Sequence, residues 1–106
     1  ETVKQTLVED FDTSERLVAE TGPLAGSSFP LFGKIRIGRA PDNDIVLADK
    51  KVSSHHAMIN RMGPKLVVTD LNSTNGTVLN GIRITDPVEA LYGDKLIVGD
   101  TRFDFS

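Results

Sequence analysis

The chain has 106 residues, 39% hydrophobic and 25% charged, with no Cys, no Trp and a formal net charge of −3. This length fits one domain with one core, the lack of Cys excludes a disulfide framework or thiolate zinc site, and no apolar run approaches the ~20 residues that span a bilayer. The acidic balance disfavours nucleic acid and anionic membranes as partners, no secretory apolar region is visible, and a cytoplasmic location without membrane insertion is expected.

Residues 1–14 read as an acidic tail or linker ahead of a domain over 15–106. Residues 1–20 hold six acids against two bases, whereas 34–65 hold seven bases against three acids. Val3, Leu7 and Phe11 are four apart, as on one face of a helix, but a helix below ~12–15 residues is marginal alone. A tail or a docking linear motif is therefore expected there.

After residue 20 no helix of ordinary length announces itself. Short apolar runs predict strands at 16–20, 28–32, 34–38, 45–47, 57–60, 65–70, 77–79, 82–84, 95–98 and 102–105. Such spacing, with turn residues between the runs, points to an all-β sandwich or barrel. Ile35 and Ile37 share one face, with Lys34, Arg36 and Gly38 on the other. Asn80-Gly81 predicts a two-residue type I′ hairpin, placing Leu79 opposite Ile82 and Thr77 opposite Ile84, with Val78 and Arg83 on the other side. Gly99-Asp100 predicts a hairpin of the same kind, with Phe103 and Phe105 on one face.

Catalysis is the first chemistry to weigh. Ser53, Ser54, His55 and His56 suggest a Ser-His-Asp arrangement, but no G-x-S-x-G elbow is present. On a regular strand neighbours point to opposite faces, so Ser53 and His56 diverge, and His55 and His56 do not share a metal ion. One of these histidines reads instead as a buried, hydrogen-bonded residue. Gly22 to Ser28 is glycine-rich but lacks the Lys of a P-loop. No enzyme activity, cofactor or metal is expected.

A third constellation is more specific. Gly38-Arg39 closes one strand; Val52-Ser53-Ser54-His55-His56-Ala57 follows, then Asp70-Leu71-Asn72-Ser73-Thr74-Asn75-Gly76-Thr77 and Asn80-Gly81. One Arg, several hydroxyls, an Asn and loop amides are the donors that a phosphomonoester takes. All lie at strand ends or in loops, where a rigid scaffold can converge them.

Gly38-Arg39, Ser53-x-x-His56-Ala57 and Asp70-x-x-Ser73-x-Asn75-Gly76-Thr77-x-x-Asn80-Gly81 together resemble the forkhead-associated (FHA) domain, a phosphothreonine-binding module. The resemblance covers about residues 15–106. It implies an FHA-like sandwich of two mainly antiparallel sheets with about eleven strands and a peptide site on loops at one end; an eleventh strand would lie near Pro87–Leu91. It implies that Arg39, Ser53, Ser54 and Thr74 contact the phosphothreonine phosphate and that Asn75 bonds the peptide backbone. Asn75 has a competing role as a positive-φ residue before Gly76. Gly38, His56 and Gly76 correspond to structural positions. Ser54 departs from the family, which often has Arg or Lys there, so the site has one cation fewer. Lys51 corresponds to a position that influences the residue three after phosphothreonine, and an acidic preference is expected.

The implied partner is a phosphothreonine-containing protein, with a Ser/Thr protein kinase acting upstream; oligomeric state is left open. Thr6, followed three residues later by Glu9, is a candidate phosphoacceptor whose phosphorylated form would bind such a site in cis or between copies, the alternative being an inert linker. The competing function is a phosphate-independent interaction or structural sandwich.

Overall fold

The computed structural model describes residues 15–106. Thr6 and the Val3, Leu7, Phe11 spacing lie outside the described residues. The elements are β1 (Arg16–Ala19), β2 (Ser28–Pro30), β3 (Lys34–Gly38), β4 (Ile45–Val46), β5 (Ala57–Met62), β6 (Lys65–Asp70), β7 (Thr77–Leu79), β8 (Ile82–Arg83), β9 (Val88–Ala90), β10 (Lys95–Val98) and β11 (Thr101–Phe105). They form a six-stranded sheet ordered β2-β1-β11-β10-β7-β8 and a five-stranded sheet ordered β4-β3-β5-β6-β9. Of the paired strands, β3 and β4 run parallel and the others antiparallel.

Alternation in the strands builds the core. Ile35 and Ile37 of β3, Ile59 of β5 and Val68 of β6 face Leu17, Leu79, Leu96, Val98, Phe103 and Phe105 of the other sheet, all within one buried cluster. Burying a side chain of this size contributes about 1.5–3 kcal/mol. The first and last strands pair, with Leu17 opposite Phe105, so the two ends of the described chain lie side by side inside the six-stranded sheet.

Turn chemistry follows the sequence with one exception. Asn80 (φ 52°) and Gly81 (φ 82°) both adopt positive φ, and Leu79 pairs with Ile82, as a type I′ hairpin requires. At the second hairpin Val98 pairs with Thr101, but positive φ falls only at Gly99 (60°) and not at Asp100. That is the pattern of type II′, which needs Gly at the first central position alone. Ile82 is 69% exposed although its partner Leu79 is buried, because β8 is a two-residue strand at the sheet edge with nothing packed over it. The strand at Val88–Ala90 lacks alternation, two exposed residues preceding buried Ala90, and pairs as an edge with β6.

Candidate functional site

The loops after β3, β4 and β6 and the β10–β11 turn meet at one end of the sandwich. Their contacts run through the residues that the sequence singles out. The Arg39 amide donates to the Ser53 carbonyl at 3.0 Å and the Ala40 amide to the Ser54 carbonyl at 3.1 Å, so the chain leaving β3 lies directly along the β4–β5 loop. Gly38 permits this approach: a Cβ there would collide with the Ser54 carbonyl and would sit 2.7 Å from Asn43 Nδ2. Asn43 is buried, and its Nδ2 donates to the carbonyls of Ala40 (2.8 Å) and Ser54 (2.7 Å), tying the β3–β4 loop to the same segment.

His56 joins the β4–β5 and β6–β7 loops. It is fully buried; its Nδ1 accepts from the Ser53 amide at 3.1 Å, so Nε2 carries the proton and donates to the Gly76 carbonyl at 2.8 Å. Gly76 has φ 90°, a conformation that glycine adopts without strain. Asp70, ending β6, organises the next turn by accepting from the Ser73 amide (3.1 Å), the Ser73 hydroxyl (2.5 Å) and the Thr77 hydroxyl (2.6 Å). Partial burial pushes its carboxyl up, but the bonds from Ser73 and Thr77 outweigh this and hold it below the ordinary aspartate value. Ser73 Oγ in turn accepts from the Gly76 amide at 3.0 Å, so both polar backbone atoms of Gly76 are engaged.

The exposed candidate residues sit on the segments that this frame ties together. Ser53 Oγ accepts from the Thr74 amide at 3.0 Å, which brings the two candidate phosphate contacts together and leaves the Ser53 hydroxyl proton available. Arg39 is exposed, and its guanidinium pairs with no carboxylate among the described residues. Ser54 and Thr74 are exposed beside them. Asn75 Nδ2 donates to the Lys51 carbonyl at 2.8 Å, leaving its Oδ1 as an acceptor. Positive φ falls at Asn72 (62°) and Gly76, not at Asn75, so the competing backbone role for Asn75 is not the one the fold uses.

Lys51 is not a free cation. Its Nζ lies 2.9 Å from Asp100 on the β10–β11 turn, and this bond holds its ammonium above the usual lysine value. Asp49 secures the same turn by accepting from the amides of Asp100 (2.8 Å) and Lys51 (2.9 Å). Those two bonds hold its carboxyl low. The sequence marks Asp100 only as a turn residue and gives no signal for Asp49, because each acts across a turn that only folding brings near. Asn43 is legible only as a loop residue for the same reason.

One premise about the histidines needs correcting. Ser53, His55 and His56 lie in the loop before β5, not on a strand. Their divergence comes from loop contacts: His56 points inward to Gly76, while His55 Nε2 meets the Asp42 carboxylate at 2.9 Å and holds that carboxyl low. Among the described residues no group of three or more His, Cys, Asp or Glu is placed to hold a metal ion. No described helix is long and apolar enough to cross a membrane.

A family model for the FHA domain matches residues 35–99. The FHA domain-containing protein FhaB of Mycolicibacterium smegmatis is 37% identical over 89 residues, covering 83% of this chain. The chain spans only 57% of the length of FhaB. Among solved structures, Mycobacterium tuberculosis EmbR in complex with a low-affinity phosphopeptide superposes with a TM-score of 0.80 at 33% identity, over 99% of this chain and 30% of EmbR. An FHA structure from work on phosphothreonine-dependent FHA domain interactions superposes with a TM-score of 0.76 at 31% identity, over 85% of this chain and 92% of its own.

Proposed function

The chain belongs to the FHA domain family, and on that premise we propose that it is a phosphothreonine-dependent protein-binding module that recognises a partner phosphorylated by a Ser/Thr kinase. One observation carries the reading. The Arg39 amide bonds the Ser53 carbonyl while Ser53 Oγ bonds the Thr74 amide, so the backbones of Arg39, Ser53 and Thr74 are tied together, and the Arg39 guanidinium has no described carboxylate partner. A dianionic phosphate with three acceptor oxygens is the ligand these donors suit. In this reading Arg39 holds the phosphate, Ser53 and Thr74 donate hydroxyl bonds, Ser54 takes the position of a cation with a weaker neutral donor, and Asn75 Oδ1 accepts from the peptide backbone.

A binding role rather than catalysis is supported by the histidines. Both nitrogens of His56 are committed to backbone groups, and Ser53 Oγ bonds the Thr74 amide, not an imidazole. Residues 1–14 would serve as a tail and 15–106 as the domain, with phosphorylated Thr6 as a ligand in cis or between copies. A short tether can supply mM effective concentration.

Titration with one peptide in phosphothreonine and unphosphorylated forms tests the reading. Binding on the order of μM for the phosphorylated form alone is expected. Equal binding of both forms would favour a phosphate-independent interaction module. A peptide spanning Val3 to Phe11 and phosphorylated at Thr6 tests the tail; no binding at millimolar concentration removes it.

A further inference from the structure

We propose that Arg83 is a selectivity contact of the peptide site, pairing with an acidic side chain of the bound segment where that segment runs past Asn75 and over Gly76. The inference rests on the phosphopeptide reading above and deepens it.

The geometry begins at Gly76. A Cβ built there would meet Arg83 Nε at 2.5 Å and Arg83 Cδ and Cζ at 2.9 Å, so the arginine side chain lies directly against the Gly76 backbone. The Gly76 amide and carbonyl are already engaged by Ser73 and His56, so Arg83 covers the remaining side of a residue adjacent to Asn75 and two from Thr74. Arg83 pairs with Val78 across the β7–β8 hairpin, and Val78 with Ile97 across β7 and β10. Val78 and Ile97 line a shallow depression shared with Lys51, Asn75, Gly76 and Asp100. Arg83 therefore stands at the margin of a surface continuous with the candidate site.

Its charge has no described counterion. Lys51 is paired with Asp100, His55 with Asp42, and Lys95 and Arg102 with Glu20, but no described carboxylate pairs with Arg83, which is exposed. A guanidinium held by packing along its stem loses less side-chain freedom on pairing than one free in solvent. An acidic residue of the partner chain is the ligand that this charge and position take. Lys51, already paired with Asp100, is the less available cation.

The test uses phosphothreonine peptides on an alanine background, each with a single Glu at one flanking position, titrated against the protein, Arg83→Gln and Arg83→Glu. Arg83→Gln keeps part of the stem over Gly76 and removes the charge. The unsubstituted protein should bind one Glu-bearing peptide about three- to fivefold more tightly than the alanine parent, the scale of a solvent-exposed ion pair. Arg83→Gln should lose that gain while binding the alanine parent within about twofold, and Arg83→Glu should prefer Lys at the same position. An unchanged ranking of the Glu peptides in both variants overturns the proposal, as does equal weakening of every phosphopeptide by Arg83→Gln. Failure of the unsubstituted protein to distinguish phosphorylated from unphosphorylated parent peptide overturns instead the reading beneath it.

Discussion

The imidazole of His56 donates to the carbonyl of Gly76, 2.8 Å away and 20 residues further along the chain. The same ring accepts from the Ser53 amide, so one buried side chain sets the spacing between the loop bearing Ser53 and the loop bearing Thr74 and Asn75. In the proposed reading the donors are ordered before a ligand arrives, so little binding energy would be consumed in ordering them, and His56 would act on the ligand only through the loops it positions.

Replacing His56 with Ala should accordingly lower stability and binding together. The change empties a buried site and leaves the Ser53 amide and Gly76 carbonyl without partners, a loss of about 3 kcal/mol. Urea denaturation and phosphopeptide titration of the same variant measure both effects. Unchanged stability would show that the loops hold without the ring.

Arg39→Ala should separate those two readouts. The side chain is exposed and pairs with no described carboxylate, so stability should shift by less than about 0.5 kcal/mol. A charge-assisted bond contributes about 1.5–3 kcal/mol, so phosphopeptide affinity should fall at least tenfold, by about that energy converted. Calorimetric titration with a thermal melt decides it, and wild-type affinity in the variant would remove Arg39 from the site.

Gly38→Ala tests the backbone approach. The new methyl has nowhere to go between the Ser54 carbonyl and the Asn43 amide, since both are fixed by hydrogen bonds. Destabilisation by about 1–3 kcal/mol is expected, with weaker phosphopeptide binding because Arg39 and Ser54 shift apart. Amide chemical shifts of residues 38–40 and 53–56 report the displacement, and an unperturbed spectrum would contradict it.

Acid should weaken the site's frame at a defined point. The carboxyls of Asp49 and Asp70 are held below the ordinary aspartate value of 3.8 by hydrogen bonds made only in the folded chain. A group depressed in this way stabilises the fold fully above its unfolded value and loses that contribution as pH falls through its folded value. Stability should be flat from neutral pH down to about 4 and then decline. Asp70→Asn should reduce stability at neutral pH and flatten the decline, and denaturant titrations across pH measure both.

Asp100→Asn should raise the preference for acidic peptides. Asp100 neutralises Lys51 at 2.9 Å, while the turn is held separately by the Asp100 amide on Asp49. Removing the carboxylate frees the ammonium without releasing the turn. A gain of up to about fivefold for a peptide with Glu three residues after phosphothreonine is expected. No gain on a peptide array would show that Lys51 does not face that residue.

Much of this was legible in local sequence because its causes are local. Alternation of Ile35 and Ile37 reports one buried face, and Asn80-Gly81 dictates positive φ at two successive residues whatever surrounds it. The second hairpin was harder: Gly99-Asp100 permits more than one turn type, and the packing of Gly99 against Asp49 and Val52 accompanies the choice of positive φ at Gly99 alone. Val88–Ala90 was reached only through the family resemblance, because an edge strand with one buried residue has no period to detect.

The sequence by itself determined an all-β fold, the boundaries of ten strands to within a residue or two, and the residue types assembled for a phosphate, with the choice of a sandwich over a barrel implied by the resemblance of its motifs to the FHA family. Those follow from side-chain periodicity, turn stereochemistry and donor chemistry, all properties of short segments. Only the tertiary structure decided which donors are free and which are spent. His56 is committed to Ser53 and Gly76, Lys51 to Asp100, and Asn75 Nδ2 to Lys51, whereas Arg39 and Arg83 pair with no described carboxylate. Apart from His56 with Ser53, those pairings join segments 20 or more residues apart in the chain, and such partners are fixed by how the two sheets bring their ends together.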